Sequence, residues 1–241
     1  MNIAMLYHVF LCWVVTLMAL LVARHINSLE GIDFADKAYA LFWALMALLW
    51  LFAGLRQLAH FFGYSQVDRQ LFYLVNVFTA AHVIPAGYFV SMRAFKRRRI
   101  AVLITSTIAA FCLIFLVLLL YDGIQTTLYS PWATEHEISS RSFRMFLVTY
   151  VMFIMLLVYD LLKRLFRYLL RGTASKRAAV ASGALLLYSS AGIFDVQGVL
   201  VDHMLLIQRA VYMLSVFAAF TAYSWQSSSI RIVHVSPAEE A

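Results

Sequence analysis

Cysteine, proline, glycine and charge are all scarce in this chain. Of its 241 residues two are cysteine, three proline and nine glycine, and 13% are charged. The cysteines, Cys12 and Cys112, sit in apolar runs, and no CxxC or CxxCH spacing exists. That excludes thiolate zinc sites and attached c-type haem. It leaves both cysteines as packing groups unless two helices bring them to one depth. Lysine is also rare, and Lys37, Lys96, Lys163 and Lys176 all flank apolar segments. A retinal Schiff base needs a lysine inside the membrane, so that chemistry is excluded too.

What replaces these residues is hydrocarbon. The chain is 63% hydrophobic, with a mean hydropathy of +0.82. A soluble domain is nearer half apolar and a quarter charged. The surplus needs an apolar solvent, which identifies an integral membrane protein. Seven apolar segments of roughly 20 residues, enough to cross a hydrocarbon core, run near 4–23, 38–61, 71–94, 100–121, 143–163, 178–199 and 204–225. "MNIAMLYHVF" has no basic residues ahead of its apolar run and reads as a first transmembrane helix rather than a cleaved signal. The expected fold is all-α, one bundle of seven transmembrane helices over residues 1–225, with 226–241 a short tail. The stretch 122–142, polar and containing Pro131, reads as the one long connecting loop.

Basic residues set the orientation. With the N-terminus outside, the cytoplasmic ends receive Arg24, Lys37, Arg93, Lys96, Arg97, Arg98, Arg99, Lys163, Arg164, Arg167, Arg171, Lys176, Arg177 and Arg231, fourteen of the nineteen. The outer side keeps Arg56, Arg69, Arg141, Arg144 and Arg209. This split places the N-terminus outside and the C-terminus in the cytoplasm, in a plasma (inner) membrane. The formal charge of +7 is thus a topology signal and carries no indication of nucleic-acid binding. The basic loops from Arg93 to Arg99 and Lys163 to Arg177 form a surface for anionic headgroups or a protein partner.

Polar groups inside spans are costly and mark candidate sites. They gather at the outer end. Arg56, Gln57 and His60 lie in the last turns of the second segment, Arg56 and His60 four apart on one face. Asn76, Thr79 and His82 form a stripe on the third, with His82 about 16 Å below Leu71 at helical rise. Pro85 should kink that helix or loosen its hydrogen bonds. "FDVQGVLVDHMLLIQR", residues 194–209, adds Asp195, Gln197, Asp202, His203, Gln208 and Arg209, and His8 lies a turn into the first segment. An outward pocket lined by Arg56, Gln57, His60, Asn76, His82, Asp195, Gln197, Asp202, His203 and Arg209 is the sharpest expectation. Asp160, with Lys163 and Arg164 at i+3 and i+4, reads as an ordinary terminal ion pair.

These features suit a ligand-binding or sensing protein, or a membrane subunit coupled to a partner. The topology resembles that of seven-helix receptors and the seven-helix input domains of bacterial sensors, in architecture alone. The alternative is a redox subunit with b-type haem or copper held by His8, His60 and His203, with no cofactor under the first reading. A further alternative is a small-solute transporter with three-plus-one-plus-three helices, similar in length to the small sugar-transporter family. Against it, residues 1–94 and 143–225 show no similarity, and only Pro85 lies in a span. HExxH, GxSxG and HxxHH motifs are absent, so no enzyme is expected.

Overall fold

A computed structural model of the chain describes residues 3–171, 175–196 and 203–233, with side chains over 3–170, 175–193 and 205–224. The elements are α1 (Ile3–Asn27), α2 (Phe34–Phe61), α3 (Ser65–Ala81), α4 (Val83–Phe95), α5 (Arg98–Asp122), β1 (Ile124–Tyr129), β2 (Thr134–Ile138), α6 (Ser140–Arg171), α7 (Lys176–Val196) and α8 (His203–Val233). Six stretches among the described residues are long and apolar enough to cross a membrane: α1, α2, α3 with α4, α5, most of α6 and the first part of α8. The protein is all-α apart from one hairpin.

Two helices form the centre. After Lys37, α2 has no charged residue until Arg56, and α1, α3 and α4 pack around it. The middle of α2 buries Phe42, Trp43, Met46 and Trp50, so these aromatics are core groups. Helix α4 buries Phe89 and Val90 and touches α2, α5 and α6. By contrast α5 and α6 leave Leu103, Leu113, Leu120, Met155 and Phe166 exposed, the side a hydrocarbon solvent covers. Cys12 and Cys112 are both free and buried.

The long span 65–95 is divided at His82. Pro85 has no N–H for the carbonyl of Ala81, which ends α3 there. His82 keeps the break closed: its Nδ1 donates to Phe78 O at 2.8 Å, and Tyr150 Oη of α6 donates to its Nε2 at 3.3 Å. His82 is therefore an interhelical hydrogen-bonding group.

The polar stretch 122–142 is structured. Strands β1 and β2 pair antiparallel, Thr127 opposite His136 and Tyr129 opposite Thr134, with an irregularity at Gln125. Ser130 Oγ accepts from Trp132 N and Ala133 N and holds the turn, where Pro131 supplies a preset φ. Thr134 and His136 are buried, whereas Glu135 is half-buried and Glu137 exposed.

Asp160 corrects the terminal-pair expectation. Its carboxylate is 0% exposed, accepts from Arg164 Nε at 2.8 Å and from Ser182 Oγ of α7 at 2.8 Å, and so docks α7 onto α6. Lys163 turns elsewhere and donates to Ala94 O at 2.6 Å. Removing one member of a buried pair strands the other charge, at a cost of about 3–5 kcal/mol, whereas replacing both with apolar groups is close to neutral. Asp160→Leu should therefore lower the melting temperature in detergent sharply, and Asp160→Leu with Arg164→Leu should recover most of it. A double variant as unstable as the single one would contradict this.

Candidate functional site

The end of the bundle that carries the hairpin, expected from the sequence to face outward, is built on Arg56. Trp50, Ala53, Arg56 and Gln57 recur at helical spacing along one face of α2, so its last turns present a guanidinium and an amide above an aromatic ring. Gly63, at φ +82°, turns the chain tightly into α3 and brings Asp68 back toward Arg56. Asp68 lies in the first turn of α3, where the helix dipole favours a carboxylate. Arg56 Nε stands 3.5 Å from Asp68, Arg56 Nη2 stands 3.5 Å from Glu135, and the guanidinium lies 5.6 Å from the Phe72 ring centroid. Around Asp68 are also His136 Nε2 at 3.2 Å and His60 Nδ1 at 3.7 Å.

The same turns of α2 hold the hairpin. Gln57 accepts from Thr134 N at 2.9 Å and donates to Thr134 O at 3.0 Å, and Arg56 Nη2 donates to that carbonyl as well. From α1, His8 Nδ1 donates to Trp132 O at 3.2 Å. His8 Nε2 then accepts from Arg209 Nε of α8 at 3.2 Å, which defines the tautomer with the proton on Nδ1. Arg209 stacks over Trp50 at 4.4 Å and gives Nη1 to Gln208 Oε1 at 3.3 Å. The hairpin is thus a roof pinned to α1, α2 and α3.

Beneath it is a cavity of about 140 Å³. Arg56, Arg209, Asn76, Gln57 and His8, with Glu135, His136 and Glu137 of the hairpin, supply polar wall, and Trp50, Phe72, Tyr150, Tyr188 and Tyr212 supply aromatic wall. The indole Nε1 of Trp50 is buried with no hydrogen-bond partner. A concave site with apolar walls and a few convergent polar groups is the form small-molecule sites take.

Four residues read from the sequence, Arg56, Gln57, Asn76 and Arg209, line this one cavity. His82 lies outside the lining, and His60 turns to Asp68 and stacks on Tyr129 at 5.3 Å. Gln197 and Asp202 fall outside the described residues, as do the side chains of Asp195 and His203. Asp68, Glu135, His136 and the aromatic wall were not legible as a group. Among the described residues no set of three or more His, Cys, Asp or Glu is arranged to hold a metal ion. Both nitrogens of His8 are engaged, one of them by a guanidinium, which opposes its use as a ligand in this arrangement.

The end of the bundle opposite the hairpin, expected from the sequence to be cytoplasmic, has a polar set of its own, contrary to the reading that gathers such residues at the other end. Asp36, buried near the start of α2, accepts from Arg93 of α4 at 2.6 Å, Arg177 of α7 at 2.8 Å and Tyr223 of α8 at 2.7 Å. Asp33 caps α2 by accepting from Asp36 N at 2.8 Å, and pairs with Arg93 at 3.1 Å. Of the basic residues assigned to a surface, Arg164 is buried and Arg93, Lys163, Arg167 and Arg177 are partly buried. Lys96, Arg97, Arg98, Arg99 and Lys176 are exposed, and the side chain of Arg171 lies outside the described set. Ring contacts, one stacked and the others edge-on or tilted, join the two ends: Tyr223 to Tyr39 at 5.5 Å, Tyr39 to Trp43 at 5.8 Å, Trp43 to Tyr188 at 6.3 Å, Tyr188 to Tyr212 at 4.9 Å and Tyr212 to Trp50 at 4.8 Å.

No protein-family model matches the chain, and neither the curated proteins nor the solved structures include one significantly similar to it.

If Gln57 pins the roof, Gln57→Leu strips the buried Thr134 N–H of its acceptor and leaves its carbonyl to Arg56 alone, at about 1–3 kcal/mol. Limited proteolysis should then cut within 124–138 faster than in the parent protein while the helices stay protected. An unchanged cleavage rate would remove Gln57 from this role.

Proposed function

We propose that this chain is a seven-helix protein of the plasma (inner) membrane, N-terminus outside and C-terminus cytoplasmic, that binds a small molecule in the roofed outer cavity and reports its occupancy to a partner at the cytoplasmic face. In this reading α7 is the span that completes the seven. Helix α7 supports that assignment by its 21-residue length and by docking on α6 and α8. The distribution of basic residues supports the orientation.

The observation that carries the proposal is the cavity itself. Residues from α1, α2, α3, α6, α7, α8 and the hairpin converge on it, so any occupant touches most of the bundle at once. Buried arginine is expensive in a membrane protein, and two guanidiniums at one small cavity are hard to account for as packing alone. Coupling to the other end is supported by the ring column, which runs from the cavity wall at Trp50 to Tyr223 beside Asp36. A packed column transmits displacement only if its ends have two arrangements. The Asp36 node, where one carboxylate holds α4, α7 and α8 against α2, is the element in which a second arrangement would reposition the exposed Lys96 to Arg99 and Lys176 against a partner.

The test is recovery of a bound compound. The protein is purified in mild detergent from its native membrane, denatured, and the released small molecules are identified by mass spectrometry. A Cβ on Gly192 meets Tyr150 and Tyr212 at ordinary contact distances of 3.5 and 3.8 Å, so Gly192→Leu fills the cavity without a backbone clash. Ala53→Trp fills it from the α2 side. A compound present in stoichiometric amount in the parent protein should be lost from both filled variants. Identical small-molecule profiles in parent and filled proteins would overturn the proposal.

A further inference from the structure

We propose that a groove on α6, at the end of the bundle away from the hairpin, holds one anionic phospholipid. Its phosphate lies between Lys163 and Arg167, and an acyl chain runs along the apolar side chains beside them. The inference goes beyond the roofed cavity and stands whether or not that cavity takes a ligand.

Length comes first. Helix α6 has 32 residues and is about 48 Å long at helical rise, against roughly 30 Å of hydrocarbon. Ser139 caps its start beside the hairpin, its Oγ accepting from Ser142 N at 3.1 Å. The excess therefore emerges at the other end, beyond Asp160, where headgroups meet acyl chains. That emergent piece is not polar: Leu165, Phe166, Leu169 and Leu170 are all exposed.

The groove on it is lined by Tyr159, Leu162, Lys163, Phe166, Arg167 and Leu170. Leu162, Phe166 and Leu170 recur every four residues as one apolar stripe, and the two cations, also four apart, form a second stripe beside it. Both cations are held there. Lys163 Nζ donates to Ala94 O of α4 at 2.6 Å and lies 5.8 Å from the Phe95 ring centroid and 5.7 Å from that of Tyr159. An ammonium has three donors, and the carbonyl takes one. Arg167 Nε reaches back to the Lys163 carbonyl at 3.4 Å, which draws the guanidinium toward the Lys163 turn.

The sign of the ligand follows from the charge around the groove. No acidic residue lies between Asp68 and Asp122 or between Asp160 and Asp195. The buried carboxylates at this end are committed elsewhere, Asp36 to Arg93 and Arg177, and Asp160 to Arg164. Among the described residues no carboxylate pairs with Lys163 or Arg167. Phe95, against which Lys163 packs, runs straight into Lys96, Arg97, Arg98 and Arg99, all exposed. An uncompensated positive rim thus borders an apolar floor, and a phospholipid supplies the complement of each. Basic pockets between transmembrane helices take such headgroups. A zwitterionic lipid would bring an ammonium against the same cations. An acidic peptide would match the cations and leave the apolar stripe in water.

The full-length protein is reconstituted in vesicles of equal phosphatidylglycerol and phosphatidylcholine with matched acyl chains. It is then extracted in mild non-ionic detergent and washed at about 0.5 M salt, which screens exposed charges more than half-buried ones. Retained lipid is quantified by mass spectrometry. A single phosphatidylglycerol should remain per chain, enriched over phosphatidylcholine by about tenfold or more, since each basic group at a membrane surface favours an anionic lipid about fivefold. Arg167→Gln should lower the enrichment about fivefold, Arg167→Lys should keep most of it, and Lys163→Gln with Arg167→Gln should abolish it. Arg167 bonds only along its own helix, so the single variant folds even where loss of Lys163 loosens α4. Arg98→Gln with Arg99→Gln removes as much charge outside the groove and should leave the enrichment within about twofold.

Equal retention of the two lipids by the parent protein would overturn the proposal, as would an enrichment that survives the double groove variant. A loss as large from Arg98→Gln with Arg99→Gln would mean diffuse surface attraction and no site. Inorganic phosphate at millimolar concentration should not displace the lipid; if it does, the groove takes the ion and the lipid assignment falls. No lipid preference, together with a dimer that Phe166→Asn dissolves, would give the groove to a second copy of the chain instead.

Discussion

A guanidinium cannot be left unpaired in hydrocarbon, and the hairpin end of this bundle is organised by that requirement at Arg56. Its neighbours are drawn from two separate pieces of chain: Asp68 and Phe72 on α3, and Thr134 and Glu135 on the hairpin. Each of those pieces is then fixed by a further contact. His136 follows Asp68, Gln57 holds Thr134 from both sides, and Trp132 is tied to His8 and through it to Arg209. A single buried cation therefore converts a polar loop into a roof and encloses a cavity that no one helix could form.

The two ends of the molecule treat charge differently. At the end away from the hairpin one carboxylate, Asp36, receives Arg93, Arg177 and Tyr223 at 2.6–2.8 Å, and these short bonds clamp four helices. At the hairpin end the ion pairs of Asp68 and Arg56 spread over 3.2–3.7 Å with a cavity among them. Compact charge-assisted bonds stabilise one arrangement, whereas looser pairing around a cavity leaves electrostatic attraction available for a further group. The column of rings between them is continuous, and its terminal members, Trp50 and Tyr223, belong to the two polar sets. Such an arrangement suits a protein in which occupancy at one face alters packing at the other.

Much of the scaffold was legible because a membrane imposes a local rule. Apolar runs of a set length locate α1, α2 and α5 within a few residues and the start of α6, and the missing N–H of Pro85 marks the break at His82. Of the polar residues read inside spans, Arg56, Gln57, Asn76 and Arg209 line one cavity. What failed depends on long-range closure. The Arg56–Thr134 bond joins residues 78 apart in sequence, and Arg209–His8 joins residues 201 apart. Asp68 lay just before the apolar run chosen for the third span and was passed over. Asp160 looked like a helix-end residue and Asp36 drew no reading, because spacing along one helix does not reveal Ser182, Arg177 or Tyr223 arriving from others. The hairpin had a local signal in hindsight, since "IQTTLY" and "ATEHEI" flank the turn "SPW" with β-favouring residues. A polar connection between two spans hid it.

The central claim is a polar cavity that opens to the outside beneath the hairpin, and accessibility of its wall tests this most directly. Asn76 bonds only to the carbonyl of Phe72 on its own helix among the described residues, so a cysteine there disturbs little. With Cys12 and Cys112 replaced by alanine, Asn76→Cys is exposed to a membrane-impermeant methanethiosulfonate in intact cells and, separately, in inside-out vesicles. Labelling from the outer face, suppressed when Ala53→Trp fills the cavity, is the result the account predicts. Labelling from the cytoplasmic face alone, or reactivity only after denaturation, would contradict it.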